Sequence, residues 1–173
     1  MSLQLHTVKN QRELEVIREL YTTAFPIEER RSEEGLAAQL LCPDCRIDVV
    51  SLKEEYAGFC IWWQLDGFAF LEHFAINPQM RGRKTGEKVM QKLREMAHGP
   101  LLFEIEPPLE GDALRRLQFY LRNGFYLLDK PYRQPSYHGG ESLEMKLMSS
   151  RDQISDDILE HWVNLVKKRV YNV

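Results

Sequence analysis

An abrupt junction between an apolar strand and a helix constrains this chain more than any other feature. The strand-like run Leu71–Ile76 leads to a turn of glycine and basic residues, Arg81-Gly82-Arg83-Lys84-Thr85-Gly86, and a helix pattern begins at once. The N–H groups of a helix's first turn lack partners within the helix, and the helix dipole adds roughly half a positive charge there. Arg81, Arg83 and Lys84 contribute full charges at the same place. The junction therefore predicts a binding site for a phosphate-bearing ligand.

The spacing within this turn excludes two common phosphate-binding loops. The loop of nucleotide hydrolases needs glycine, four residues, glycine, lysine and a hydroxyl residue, and the dinucleotide fingerprint needs three glycines at fixed offsets. The turn instead resembles the coenzyme A loop of the GNAT acetyltransferases, Gln/Arg-x-x-Gly-x-Gly/Ala, with Arg81 and Gly86 at its ends. It departs from that pattern at Lys84, where the family usually has glycine. A lysine keeps the backbone N–H and adds charge, but a left-handed conformation there would be strained.

A second motif follows the turn at the family's usual distance. Residues Arg115–Phe125 resemble its later helix, which carries a tyrosine, here Tyr120, and ends in a Gly-Phe pair. The resemblance covers roughly residues 56–147 and is loose outside them. It implies an N-acetyltransferase that moves an acetyl group from acetyl-coenzyme A, its cosubstrate, to a primary amine. A catalytically silent coenzyme A-binding or sensing domain is the alternative, because of Lys84 and because Ala113 stands where the family often has asparagine.

The alternation of strand and helix patterns predicts one α/β domain. With 173 residues, we expect residues 1–173 to form a single domain, with residues 152–171 as a C-terminal helix. Strands are predicted at Gln4–Val8, Ile47–Leu52, Gly58–Leu65, Phe68–Ile76, Leu101–Glu106, Phe125–Leu128 and Leu143–Leu147. Helices are predicted at Glu13–Phe25, Ser32–Leu41, Gly86–Ala97, Ala113–Arg122 and Asp156–Tyr171. The resemblance implies the acyl-CoA N-acyltransferase-like fold (α/β, or α+β), a mixed, mostly antiparallel twisted sheet of six or seven strands flanked by helices.

The same resemblance makes Glu72 the expected general base and Tyr120 the expected proton donor to the leaving thiolate. Partial burial in an apolar strand should raise the pKa of Glu72 from about 4.3 toward a useful value. A phenol of pKa about 10 can protonate a thiolate whose thiol has a pKa of about 8.5. Glu72 could instead point to solvent or pair with an arginine, and Tyr120 could belong to the core. His73 is an alternative proton shuttle. Glu104 and Glu106, two apart in a strand and so on one face, are a reserve carboxylate pair.

The predicted coenzyme A site combines the basic turn with the strand before it. Its residues are Phe74, Ala75, Ile76, Arg81, Gly82, Arg83, Lys84, Thr85 and Gly86. The resemblance implies that the backbone of residues 74–76 runs alongside the pantetheine arm, with one N–H facing the thioester oxygen. No metal is expected: Cys42 and Cys45 have the spacing of half a zinc site, but no second pair follows.

The acceptor is less well defined by the sequence. Candidate walls are the segment Phe25–Arg31, the pair Trp62-Trp63, and the loop Lys130–Gly140, which mixes aromatic and polar groups with prolines. We expect a small-molecule amine in preference to a protein amino group, because no peptide groove can be read. A net charge of −3 argues against nucleic acid or an anionic membrane as partner. A homodimer is left open. No signal peptide or span of ~20 apolar residues is visible, so a cytoplasmic location is expected.

Overall fold

A mixed β-sheet with helices packed on both faces forms the molecule. The computed structural model describes residues 2–173. The strands are β1 (Leu3–Thr7), β2 (Cys45–Leu52), β3 (Glu55–Gln64), β4 (Ala69–Ile76), β5 (Leu101–Ile105), β6 (Tyr126–Leu127), β7 (Tyr132–Gln134) and β8 (Leu143–Ser149). The helices are α1 (Gln11–Ala24), α2 (Glu33–Ala38), α3 (Thr85–Met96), α4 (Gly111–Arg122) and α5 (Asp156–Arg169). Within residues 2–173, no helix has both the length and the apolar character that crossing a bilayer requires.

The order of strands confirms the predicted fold class. Along the sheet the order is β1-β2-β3-β4-β5-β8-β6, and β7 pairs with the first part of β8. Neighbours run antiparallel except β4 and β5, which are parallel. The strand missed by the sequence prediction is β7, which is three residues long and lies between Pro131 and Pro135 in a segment predicted as a loop.

The two central parallel strands separate soon after they begin to pair. The ladder joins Ala69–Leu71 of β4 to Leu101–Phe103 of β5, although β4 continues to Ile76 and β5 to Ile105. Beyond Leu71 neither strand has the other as a hydrogen-bonding partner. A gap therefore opens in the middle of the sheet.

A β-bulge in β4 lies beside this gap. The register against β3 skips Glu72, since Leu71 and His73 face consecutive residues of that strand. Side chains of neighbouring strand residues normally point to opposite faces. Here the Glu72 carboxylate and the His73 ring both lie against Tyr137. The bulge therefore places two consecutive titratable side chains on one face of the sheet.

The two faces of the sheet are buried under different helices. Leu93 of α3 packs in one cluster with Leu71 of β4, and α4 adds partly buried side chains to it. Phe70, the neighbour of Leu71, packs on the opposite face with Trp162 of α5. Helix α1 covers that opposite face beside β3, where Ile17 packs in the same cluster as Phe59. Consecutive side chains of β4 thus pack into separate hydrophobic cores.

Local sequence signals account for several element ends. The hairpin predicted at Asp66-Gly67 is confirmed: the Leu65 N–H donates to the Phe68 carbonyl at 2.9 Å, and Gly67 has φ +81°. Helix α2 is shorter than the predicted Ser32–Leu41, because its last turn tightens into a 3-10 turn at Gln39–Leu41.

The C-terminal helix also ends earlier than predicted. The predicted Asp156–Tyr171 is α5 only as far as Arg169, and Tyr171 lies beyond the helix end. Ser155 caps its start by accepting from the Ile158 N–H, and three basic residues occupy its last turn, as the helix dipole favours.

Candidate active site

A cleft of about 660 Å³ occupies the gap between β4 and β5. We call it the β4–β5 cleft. Of the residues predicted for the site, it brings together Glu72, Phe74, Ala75, Ile76, Arg81, Gly86 and Tyr120. Gly82, Arg83, Lys84 and Thr85 belong to the same basic turn, outside the lining of the cleft. Lys84 instead lines a second cavity of about 560 Å³ between α3 and α4.

The basic turn, Arg81–Gly86, leaves the N-terminus of α3 open. Lys84 stands at the N-cap in a left-handed conformation with φ +56° and ψ +23°, and no side chain among residues 2–173 caps the helix. This is the strained conformation that a lysine in place of glycine was expected to require. The buried Thr85 hydroxyl donates to the Met80 carbonyl at 3.2 Å and closes the turn. The first N–H groups of α3 are thus available to an anion.

The charged side chains of the turn are exposed and weakly paired. Arg81, Arg83 and Lys84 are all exposed. Arg83 lies 4.0 Å from the exposed Glu55 carboxylate, an ion pair that contributes little in water. Gly86 leaves room for the Phe119 ring, because a Cβ there would lie 3.1 Å from Phe119 Cζ. The turn therefore combines positive charge with close access to the helix end.

The peptide groups of β4 divide between the two sides of the strand. A Cβ on Gly58 of β3 would lie 2.2 Å from the Ala75 carbonyl oxygen, so the Ala75 peptide faces β3. Peptide groups alternate in direction along a strand. Phe74 and Ile76 therefore present theirs toward the gap, whereas Ala75 can contribute only its side chain or contact surface there. The expectation that all three backbones serve one ligand is accordingly restricted to two of them.

Glu72, the predicted base, is buried and surrounded by donors. Its side chain is 0% exposed. Arg31 Nε donates to Oε1 at 2.8 Å and Tyr137 OH donates to the same oxygen at 2.9 Å. Gln39 Nε2 and Trp63 Nε1 each donate to Oε2 at 2.7 Å. Four donors hold this carboxylate in place.

The predicted direction of the Glu72 pKa shift is wrong. Burial would raise its pKa, but the Arg31 guanidinium, with help from the Trp63 N–H, outweighs burial and lowers it. The sequence suggested burial but not the donors, which come from segments far apart in the chain. The role of Glu72 as base stays a prediction.

His73 is buried beside Glu72 and is neutral. Its Nε2 lies 2.8 Å from the Glu29 carbonyl oxygen, which can only accept, so Nε2 carries the proton. Burial lowers the pKa of His73, although the Glu72 carboxylate opposes the shift. Nδ1 lies 3.8 Å from Glu72 Oε1. His73 thereby ties the 3-10 turn at Ile27–Glu29 to β4.

The position and the pKa of Glu104 suit a general base better than those of Glu72 do. Its carboxylate lines the cleft and accepts hydrogen bonds from the hydroxyls of Tyr132 and Tyr171. Burial raises its pKa to about 7, although these two hydrogen bonds oppose the shift. A carboxylate with that pKa exchanges a proton near neutral pH.

The reserve pair Glu104 and Glu106 does not share one face, so this expectation is wrong. Strand β5 ends at Ile105 ahead of Pro107, and the alternation of side chains holds only within the strand. Glu106 forms an ion pair with Arg116 of α4, whereas Glu104 faces β7 and the residue that follows α5.

Tyr120 reaches the cleft from the opposite face. Its ring packs 4.6 Å from that of Phe103 and 5.2 Å from that of Phe119, centroid to centroid. Phe103 and Glu104 are neighbours in β5, so their side chains point to opposite faces. Burial raises the pKa of Tyr120 to about 12, with Arg116 opposing. The phenol is therefore protonated at any working pH.

The cysteines and the predicted acceptor walls can also be located in the structure. Cys42, Cys45 and Cys60 are free thiols. Within residues 2–173, no group of three or more His, Cys, Asp or Glu side chains is arranged to hold a metal ion. Phe25 and Glu29, from a predicted acceptor wall, line the cleft, and Tyr132 and Tyr137 of another bind the two carboxylates. The roles of Arg31 and Tyr171 were missed, since no local pattern marks either contact.

Comparison with known sequences identifies a family for this chain. Residues 43–127 match the family model of the acetyltransferase (GNAT) domain. Over 141 residues the chain is 30% identical to YjbC of Bacillus subtilis (strain 168), which bears an acetyltransferase name; the match covers 79% of this chain and 71% of YjbC.

Solved structures agree as well. A GNAT-family protein from Bacteroides thetaiotaomicron matches with a TM-score of 0.89 at 31% identity, over 100% of this chain and 99% of that protein. A GNAT acetyltransferase from Elizabethkingia anophelis, solved with acetyl-CoA bound, shares the fold with a TM-score of 0.54 at 15% identity, over 86% of this chain and 95% of its own.

The fold is of the GNAT acyl-CoA N-acyltransferase class. The chain belongs to the GNAT acetyltransferase family. The family resemblance read from the basic turn and the Tyr120 helix is thereby confirmed.

Proposed function

We propose that the protein transfers an acetyl group from acetyl-coenzyme A to a primary amine, with Glu104 as general base and Tyr120 as general acid. One arrangement supports this above all: Glu104 and Tyr120 line the same cleft from opposite faces of the sheet, at the point where β4 and β5 separate. A base on one face and an acid on the other suit a reaction in which the amine arrives from one side and the thiol leaves on the other.

The basic turn supports binding of the coenzyme. The open N-terminus of α3 and the exposed Arg81, Arg83 and Lys84 provide donors and charge for phosphate groups. Phe74 and Ile76 present peptide groups toward the gap, where an extended amide-containing chain can pair with them. The relative from Elizabethkingia anophelis binds acetyl-CoA on the same fold. These residues fit a phosphorylated ligand with an amide-bearing arm.

The proposed transfer accounts for every bond and proton. Acetyl-coenzyme A supplies the acetyl group, so that a C–N bond to the amine forms as the C–S bond breaks. Glu104 takes the proton that the amine must lose, and Tyr120 donates a proton to the departing sulfur. A Tyr120 pKa of about 12 makes the phenol a hydrogen-bond donor throughout, and its proton moves only as negative charge develops on sulfur.

Glu104 is assigned as base in preference to Glu72 because Glu72 is paired with an arginine and its pKa is shifted in the opposite direction. Arg31 and the Trp63 N–H lower the pKa of Glu72, and two further donors, Gln39 and Tyr137, also occupy its carboxylate oxygens. A proton arriving there would displace an interaction with Arg31. Glu104 carries a pKa of about 7, so it can take up a proton and release it near neutral pH.

The acceptor side of the cleft favours a cationic amine. Phe25 and Pro26 supply apolar surface, and Glu29 adds a carboxylate whose pKa is raised by burial, against the influence of Arg116. Negative charge at this end suits an ammonium group. We therefore propose an amine that arrives as an ammonium ion, and we keep a small molecule in preference to a protein amino group because the sequence contains no readable peptide groove.

The test is release of coenzyme A thiol from acetyl-coenzyme A over a panel of primary amines. Wild type is compared with Glu104→Gln, Glu72→Gln and the exposed control Glu160→Gln on α5. We expect turnover with at least one amine, and a loss of about 100-fold or more in Glu104→Gln at pH 7. Binding of acetyl-coenzyme A without turnover on any amine would favour the sensing domain. Full turnover in Glu104→Gln would exclude Glu104 as the base.

A further inference from the structure

Both carboxylate oxygens of Glu104 are bound by phenol hydroxyls from distant segments. Tyr132 of β7 donates to Oε1, and Tyr171, which follows α5, donates to Oε2 at 2.8 Å. Tyr171 is 67 residues from Glu104 in the chain. Both tyrosines are buried, and burial raises the pKa of each above its ordinary value, so both hydroxyls remain donors.

Tyr171 is in turn held by a buried guanidinium. Arg31 Nη2 donates to the Val170 carbonyl at 2.6 Å while its Nε binds Glu72 at 2.8 Å. The Tyr171 ring lies 5.1 Å from the Tyr137 ring, centroid to centroid, and Tyr137 donates to Glu72. The chain after α5 is thus fastened to the bulge in β4 immediately beside the residue that reaches Glu104.

We propose that Tyr132 and Tyr171 are positioning residues for Glu104, and that Arg31 fixes the C-terminal segment that supplies Tyr171. The inference rests on the proposed function, in which Glu104 is the base. Two fixed donors orient the carboxylate and stabilise its charged form, the form that can accept a proton. Without them a buried carboxylate would stay neutral at pH 7. The segment after α5 is therefore part of the active site.

The charged groups around Glu104 determine the direction of the expected change. Glu72 of β4 and Glu29 of the 3-10 turn raise its pKa, as burial does, and the two hydroxyls lower it. Arg31 compensates the charge of Glu72. Removing one hydroxyl leaves the raising influences in place, so the pKa of Glu104 must increase.

The test follows the Glu104 carboxyl directly, by NMR titration of the 173-residue chain labelled with ¹³C-carboxyl glutamate. The Glu104 signal is assigned by its loss in Glu104→Gln. We expect a wild-type midpoint of about 7. Tyr171→Phe and Tyr132→Phe should each raise the midpoint by about one to two pH units. Tyr126→Phe, on the exposed strand β6, is the matched control and should leave it unchanged.

The variants also separate positioning from simple structural support. For an amine that the wild type acetylates, the loss in Tyr171→Phe should be about tenfold at pH 7 and should largely disappear at pH 9. A purely structural loss would not depend on pH. A Glu104 midpoint unchanged in both tyrosine variants would overturn the inference and leave Glu104 as base. Full activity of Glu104→Gln would instead contradict the proposed function, whatever the titration shows.

Discussion

The Arg31 guanidinium and the Glu72 carboxylate form an ion pair inside the protein, with Nε and Oε1 2.8 Å apart and side chains 12% and 0% exposed. The pair sits on a β-bulge beside the β4–β5 cleft. A second carboxylate, Glu104, lies in the same cleft and accepts hydrogen bonds from two tyrosine hydroxyls; among residues 2–173, no arginine donates to it. Two acids of similar chemistry therefore have opposite pKa shifts, because one is paired with a cation and the other is not.

Removal of the guanidinium should destabilise the fold. Arg31→Ala leaves the buried Glu72 charge without its ion pair, so we expect the free energy of unfolding at pH 7 to fall by about 3 kcal/mol or more in urea denaturation. Arg12→Ala, at an exposed position of α1, should change it by less than about 0.5 kcal/mol. The Glu72 pKa is lowered in the folded state, so its stabilisation exists above the unfolded pKa and disappears as pH falls through the folded one. A loss that is small at pH 7, or that does not shrink in acid, would contradict this.

Replacement of Glu104 should have the opposite effect on stability. Its pKa is raised to about 7, so ionisation costs stability progressively as pH rises from the unfolded pKa toward and beyond 7. Glu104→Gln removes that cost, and we expect the variant to be more stable than wild type by about 1–3 kcal/mol at pH 8 and similar at pH 4. Thermal denaturation at the two pH values measures the difference. Equal or lower stability at pH 8 would show that burial does not raise this pKa.

Because Lys84, the N-cap of α3, has a left-handed conformation, we expect its replacement by glycine to stabilise the fold. Lys84→Gly removes the strain of a side chain at φ +56°, so the free energy of unfolding should rise by about 0.5–1 kcal/mol. Lys92→Gly, in the exposed interior of the same helix, should lower it by about 1 kcal/mol. Urea denaturation of both variants measures whether the free energy of unfolding rises or falls in each. If both lysine variants lose stability equally, Lys84 is not strained.

Loss of the Tyr120 hydroxyl should affect turnover but not binding. Tyr120→Phe keeps the ring contacts with Phe103 and Phe119, and we expect kcat to fall about 100-fold with the affinity for acetyl-coenzyme A unchanged within about threefold. Because the pKa of Tyr120 is about 12, its ionisation should not reduce wild-type activity below pH 10. Steady-state rates and a binding titration separate the two quantities. An unchanged kcat would place Tyr120 in the core alone.

Much of the fold could be predicted from sequence because its signals are local. The Asp66-Gly67 hairpin and the capped helices α1 and α5 are specified by residues within a few positions of one another. The basic turn was predictable for the same reason. Strand β7 was not, because three residues between two prolines carry too little periodicity.

The chemistry of the cleft depends on contacts that no local pattern encodes. The bulge at Glu72 depends on how β4 pairs with β3, and no residue pattern within the apolar strand predicts it. The Glu72 donors and the Tyr171 contact to Glu104 join residues 9 to 67 positions apart. The sequence therefore identified both carboxylates but assigned the pKa shift to the wrong one.

Calorimetric titration with acetyl-coenzyme A tests the central claim most directly, namely that the basic turn and the β4–β5 cleft hold this cosubstrate. We expect one molecule bound per chain, with affinity reduced about tenfold in Arg81→Ala, retained in Arg12→Ala, and weakened by salt as phosphate contacts require. The absence of binding to wild type, or equal affinity in Arg81→Ala, would contradict it.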